Sequence, residues 1–289
     1  MDRDTSTTTP SLALRASNVF AYALLIVVNV LVNTGLIGPS NAEVSGRFPT
    51  PLTPAGWAFS IWGLIFGLEG VGTIYQALPY GYNSEGTKQR IVNAIGFGWQ
   101  LGWYCEMGWQ LCFMLETPGG MFLSAILLVQ ATLSFGSSLL GLYRLKERNG
   151  SLSSPFLYAA FFLPTSINTA WLSVATSVGI LVVPVSYQTS FNLDIPATIL
   201  AASVTCLGVV AMQRARDSAY GLTLIWSLVA VYGSQPESKA VKAASLACIV
   251  VTCLFTVMSV LRRRSPREVE QASPEIRQPL NTTRTSSLH

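Results

Sequence analysis

Two carboxyl residues stand where carboxyl residues are seldom found. Glu69 and Glu106 each interrupt an apolar run long enough to cross a bilayer, and no Lys or Arg shares their depth. An unpaired carboxylate in hydrocarbon is costly, so each position calls for a proton, a partner or water. Both glutamates also sit on stripes of rings. At spacings of three and four, one helix face reads Phe59, Trp62, Phe66, Glu69, Thr73 and Gln76. A second reads Gly96, Trp99, Trp103, Glu106 and Gln110. Rings in such stripes offer stacking area to a flat or bulky apolar ligand, while Glu, Gln and Asn fix its orientation. Asn168 and Trp171, on a strip beside the hydroxyl stripe Ser166, Thr169, Ser173 and Thr176, join the candidate ligand-binding set, as does Trp57. The competing readings are plain packing, with each glutamate neutral and bonded to a neighbouring helix, and interface anchoring for Trp57 and Trp109.

Catalytic and metal chemistry find no support in the residue types. No GxSxG, HExxH or Gly-rich phosphate loop occurs, and the single histidine, His289, ends the chain. The five cysteines fall inside apolar runs without a CxxC pair. The expectation is a protein that is not an enzyme and requires no cofactor. A shared-proton pair is not expected either. Counting about 1.5 Å per residue from the ends of two oppositely directed spans puts Glu69 and Glu106 about 10 Å apart in depth. Two separate polar points along a cavity, or a proton path, fit that spacing.

The elements that must carry these residues are membrane helices. The chain of 289 residues is 50% hydrophobic and only 11% charged, with mean hydropathy +0.44, where a soluble domain carries about 25% charge. Several apolar runs are long enough to span the bilayer core, and none shows the short alternating segments of a membrane β-barrel. The expected fold is an all-α polytopic membrane protein of about eight transmembrane helices. Spans are expected near 17–38, 54–78, 90–115, 121–143, 155–183, 195–213, 219–233 and 240–261, with a kink at Pro164 in the fifth. They group as a five-helix domain over 17–183 and three further helices over 184–261, between polar tails at 1–16 and 262–289 that are expected to be disordered.

The net charge of +4 does not point to nucleic acid, because the basic residues lie between the apolar runs and at the end of the chain. With eight spans, only Arg47, Lys239 and Lys242 of the 18 basic residues fall on one side, so the positive-inside rule puts both termini in the cytoplasm. Arg262, Arg263 and Arg264 abut the last span as a candidate contact for anionic lipid. The glycosylation patterns at Asn149 and Asn281 fall on the same cytoplasmic side and are expected to be unused. Ser134, Ser137, Ser138 and Gly141 give the fourth span a small-residue face suited to close helix contact, including that of a homodimer.

Thr53-Pro54-Ala55-Gly56-Trp57-Ala58-Phe59-Ser60-Ile61-Trp62-Gly63 resembles the tryptophan-rich sensory protein / translocator protein (TspO/MBR) family, in particular its longer TspO-related branch. Pro164-Thr165-Ser166 through Trp171-Leu172-Ser173-Val174-Ala175-Thr176 is similar to the family's fifth helix, and Trp103 with Trp109-Gln110 to its third. The chain departs from the family pattern at Ser177-Val178-Gly179, where an Asn-bearing stretch is expected. The resemblance covers about 17–183. It implies a five-helix bundle whose pocket is capped by the loop before the second helix, with Trp57, Trp62 and Trp171 as pocket or cap residues. It also implies a tetrapyrrole, sterol or other hydrophobic small molecule as ligand, and no established enzymatic role.

Three functions follow. The leading one is a receptor or carrier for a hydrophobic, planar ligand. The second is a proton-coupled transporter using Glu69 and Glu106. The third is a structural assembly protein. Breakdown of a tetrapyrrole rests on resemblance alone.

Overall fold

The computed structural model describes residues 12–79, 82, 86–149, 154–234 and 238–262. The expected tails, the sequons at Asn149 and Asn281 and the side chains of Arg262, Arg263 and Arg264 lie outside the described residues. The described chain is all helical. α1 is Leu12–Asn33, α2 Asn41–Arg47, α3 Gly56–Ala77, α4 Thr87–Ile95, α5 Gly98–Phe113 and α6 Pro118–Asn149. α7 is Pro155–Ser186, α8 Asp194–Arg214, α9 Ser218–Ser234 and α10 Lys239–Arg262. Six of these, α1, α3, α6, α7, α8 and α10, are long and apolar enough to cross a membrane. α5 and α9, with 16 and 17 residues, are shorter.

Five helices form a ring in the order α1, α3, α7, α6, α5 and back to α1. α3 and α5 face each other across its interior rather than packing directly, and large side chains fill the gap. α2 bridges the ring at one end. Its start is set by a capping box, in which the Ser40 side chain accepts from the Glu43 backbone and Glu43 reaches back to the Ser40 backbone. Arg47 pairs with Glu116 and ties α2 to the turn between α5 and α6.

Two local features depart from straight spans. The third span is not one helix. Gly96 takes φ +57°, a left-handed conformation that closes α4, and α5 begins afresh at Gly98. Gly96 is therefore a helix stop and leaves the aromatic stripe to which its spacing assigned it. α7 does carry an irregularity next to Pro164, as a widened π-turn over Tyr158–Phe162 just before it. The turn presents the Ala160 carbonyl to α3 at Gly72, where any Cβ would collide with it.

The small-residue face of α6 is used inside the chain. Ser138 Oγ donates to the Ile95 carbonyl at 2.8 Å. A side chain on Gly141 would strike the Ala94 backbone, and one on Gly98 would strike Ser134 and Ser138. The surface expected to serve a homodimer is thus occupied by α4 and α5, because Gly98 and Gly141 let these backbones approach so closely.

The last three helices pack on one another and, through α8 and α9, on α7. Asp217 fastens the join. One carboxyl oxygen accepts from the backbone of Ala219 and Tyr220 and caps α9, while the other accepts from Tyr143 at 2.6 Å and Ser166 at 2.7 Å. α9 also grips the lead-in to α3. Ala55 N donates to the Ala230 carbonyl at 3.1 Å, Trp226 Nε1 to the Ala58 carbonyl at 3.2 Å, and Ser234 Oγ to the Thr53 carbonyl.

Candidate functional site

The interior of the ring is a column of polar groups sheathed in rings. At its centre, α3, α5 and α7 each contribute one fully buried polar side chain: Glu69, Glu106 and Asn168. Asn168 Nδ2 donates to Glu69 Oε1 at 2.8 Å and to Glu106 Oε1 at 2.9 Å. Trp103 Nε1 donates to the other Glu69 oxygen at 2.8 Å. Both hydrogens of one amide are therefore spent on two carboxyl groups. Glu106 Oε2 and Asn168 Oδ1 are buried without a partner among the described residues.

This overturns the depth estimate. A single amide spans the two glutamates, where counting from the span ends separated them by about 10 Å in depth. The error lies in the ends used. Part of the counted third span belongs to α4, and the first residues of the counted second span form the lead-in and a 3-10 turn, Gly56–Ser60. Glu69 lies near the midpoint of Ile61–Ala77 and Glu106 near the midpoint of Gly98–Phe113. Antiparallel helices that meet at their midpoints bring the two residues level.

Above and below this centre the column continues. Gln110 Oε1 accepts from Asn29 Nδ2 at 3.1 Å and Asn41 Nδ2 at 3.2 Å, which joins α5 to α1 and α2. At the other end Gln76 accepts from Asn18 at 3.0 Å. Asn33, one turn further along α1, turns back on Asn29 instead of reaching another helix.

The rings converge around Trp62. Its centroid lies 5.1 Å from Phe66, 5.9 Å from Trp109 and 6.1 Å from Trp171, and Phe59 stands edge-on to Trp171 at 5.9 Å. Trp62 and Trp171 are buried, and neither indole N–H finds a partner among the described residues. A buried donor without an acceptor costs about 1–3 kcal/mol. Trp99 and Trp103 form a neighbouring pair at 5.4 Å, with Trp99 Nε1 satisfied by Thr165 at 2.9 Å. Between the Trp62 cluster and α6 lies a cavity of about 30 Å³, lined by Phe59, Trp109, Phe113, Leu128, Trp171 and Val178 among others. It would hold a water or two, far short of the roughly 300–1,000 Å³ of a typical ligand site. The aromatic wall expected from the stripes is present, but the rings themselves occupy the hollow.

Of the candidate residues, Phe59, Trp62, Phe66, Glu69, Trp99, Trp103, Glu106, Gln110, Asn168 and Trp171 gather inside the ring. Trp57 does not. It is 50% exposed and packs edge-on against Trp226 of α9, 4.7 Å between centroids. Trp57 lies in the 3-10 turn that precedes the regular helix, outside the ring.

Three contributors escaped the sequence reading. Trp109 is a buried member of the cluster and not an interface anchor. Tyr22 stands edge-on to Trp103 at 5.4 Å and donates to the Phe66 carbonyl at 2.5 Å. Asn41 lies in the first loop, yet it is buried and bonded to Gln110. Trp109 follows Trp103 and Glu106 at helical spacing, so its position was available. The last two depend on α1 and α2 folding against α5, which no local pattern announces.

The geometry agrees with comparison to known proteins. No curated protein and no solved structure matches the chain. A family profile described as TSPO-like protein matches residues 15–259, a span that includes α8, α9 and most of α10 as well as the five-helix ring. The chain is therefore a multi-pass integral membrane protein that belongs to the TSPO-like family.

Proposed function

We propose that the protein is a membrane receptor or carrier for a hydrophobic, planar small molecule of the tetrapyrrole or sterol kind. The ligand enters among α3, α5 and α7, and the protein's own role is non-catalytic. The observation that carries the reading is the pair of unpartnered indole N–H groups on Trp62 and Trp171, buried in one aromatic cluster. A ligand bearing a carbonyl or carboxylate edge would satisfy these donors while its ring system stacked on Trp109 and Phe59. Family membership supports the same reading, and the basic residues between the spans favour cytoplasmic termini.

The test is saturable quenching of tryptophan fluorescence by protoporphyrin, sterols and carotenoids in detergent. Trp62→Ala and Trp103→Ala should weaken binding by more than they lower stability. Trp62→Phe keeps a ring but removes the N–H, and should weaken binding about ten-fold. Absence of saturable quenching with every ligand class would refute the proposal.

A second reading draws on Asn168 bridging Glu69 and Glu106, since two carboxyl groups around one amide can hold a proton in passage. Uptake into proteoliposomes driven by a pH gradient, and lost in Glu69→Gln and Glu106→Gln, would favour transport over sensing.

A further inference from the structure

A second binding site lies on the outside of the ring. Between α6 and α8, backed by α7 and α9, runs a groove of about 610 Å³. Its wall is apolar at Leu133, Leu140 and Leu207, and its rim carries Arg144, Arg214 and the opposing Glu147. Arg144 and Arg214 are exposed and take no hydrogen-bond or ion-pair partner among the described residues. Arg144 is also shared with an adjoining cavity of about 360 Å³ that holds Arg90 and Arg148. Cationic groups thus outnumber the single carboxylate where the groove opens.

The groove also has a membrane dimension. From Arg144 back to Leu133, α6 rises about 16 Å at about 1.5 Å per residue. That is roughly half of a hydrocarbon core about 30 Å thick. An apolar channel one leaflet deep, ending at Arg144 and Arg214 at the headgroup level, matches the shape of a phospholipid.

We propose that this groove binds a single anionic phospholipid, one acyl chain lying along Leu133, Leu140 and Leu207 and the phosphate between Arg144 and Arg214. The site is distinct from the aromatic interior and from the arginines that follow α10. It fastens a lipid across the seam between the five-helix ring and the C-terminal helices, so its occupancy stiffens that seam.

The experiment uses the full chain in nanodiscs of phosphatidylcholine doped with phosphatidylglycerol, followed by native mass spectrometry of the lipids that stay bound on release into detergent. One phosphatidylglycerol should be retained in preference to phosphatidylcholine. Arg144→Gln and Arg214→Gln should each weaken retention about five-fold, from the attraction of one basic residue for an anionic headgroup. Glu147→Gln should strengthen it, and Lys239→Gln, at the far end of α10, should leave it unchanged. Leu140→Trp, which fills the groove without touching charge, should abolish retention while thermal stability is kept. Equal retention of the two lipids, or equal losses from Lys239→Gln and Arg144→Gln, would overturn the proposal. So would full displacement by millimolar glycerol phosphate, because the apolar wall would then contribute nothing.

Discussion

Glu69 and Glu106 share a single amide nitrogen. They come from helices that face each other across the ring, and Asn168 Nδ2, from a third helix, reaches both, at 2.8 and 2.9 Å. The pair depends on a third helix for its cohesion. Asn168→Leu should therefore be among the most damaging changes in the protein. It strips a donor from two buried carboxyl groups, at about 1–3 kcal/mol for each. Glu106→Gln retains an oxygen to accept from Asn168 and should cost less. Thermal unfolding in detergent of the two variants checks the order, and a milder Asn168→Leu would mean that the bridge contributes little.

Gly72 is fixed by the π-turn opposite. A Cβ there would run into the Ala160 carbonyl and also press on the ring of Trp99. Backbone cannot yield as a side-chain tip can, so Gly72→Ala should destabilise by about 1–3 kcal/mol. Gly63→Ala on the same helix meets open space and should be neutral. Paired melting curves give the comparison directly.

Trp226 holds the lead-in to α3 through its ring contact with Trp57 and its bond to the Ala58 carbonyl. Phe59, one residue further on, lines the interior cavity. Removing the hold with Trp226→Ala should speed ligand association, measured by stopped-flow quenching, and leave the final quenched level nearly unchanged. A slower association would show that the grip guides the ligand and does not obstruct it.

Lys88 lies between the second and third spans, where its ammonium donates to the Leu78 carbonyl at 2.8 Å and sits over the Tyr75 and Tyr82 rings. Burial, with the Arg15 cation nearby, brings its pKa from 10.5 down to about 8. The unfolded chain keeps that proton to higher pH than the native chain does. Between about pH 8 and 10.5 unfolding takes up a proton, so stability rises with pH; below pH 8 both states are protonated and no dependence follows. Tyr82, pushed up to about 12 by burial, works in the opposite sense only above its ordinary value of 10. Melting at about pH 7.5 and about pH 9.5 should show the rise in the wild type and a flat response in Lys88→Met.

Much of this was legible in the residues. Hydropathy announced the membrane helices, and spacings of three and four put ten candidate residues inside the ring. Depth was not legible, because it depends on where helices truly begin. Gly96 and the 3-10 turn at Gly56–Ser60 each moved an end and brought two glutamates level. Nor was the partner of the α6 small-residue face. Small residues announce close approach but not which helix approaches, and here α4 and α5 claim the surface before a second chain could. Asn41 shows the same limit. A polar residue in a loop reads as solvated until the loop folds across the mouth of a bundle.

The near-absence of free volume around Trp62 changes what affinity means for this protein. On the proposed reading, accommodating a guest would be an exchange, in which indole and phenyl groups surrender their places to it. The strength of association would then be a difference between two well-packed arrangements, and a molecule that mimics the displaced rings would have the advantage over one that is merely greasy. Rigid fitting of ligands to the resting arrangement would find no room for the proposed ligand, while a variant that shrinks one ring, such as Trp109→Leu, should create standing room and broaden the range of molecules admitted.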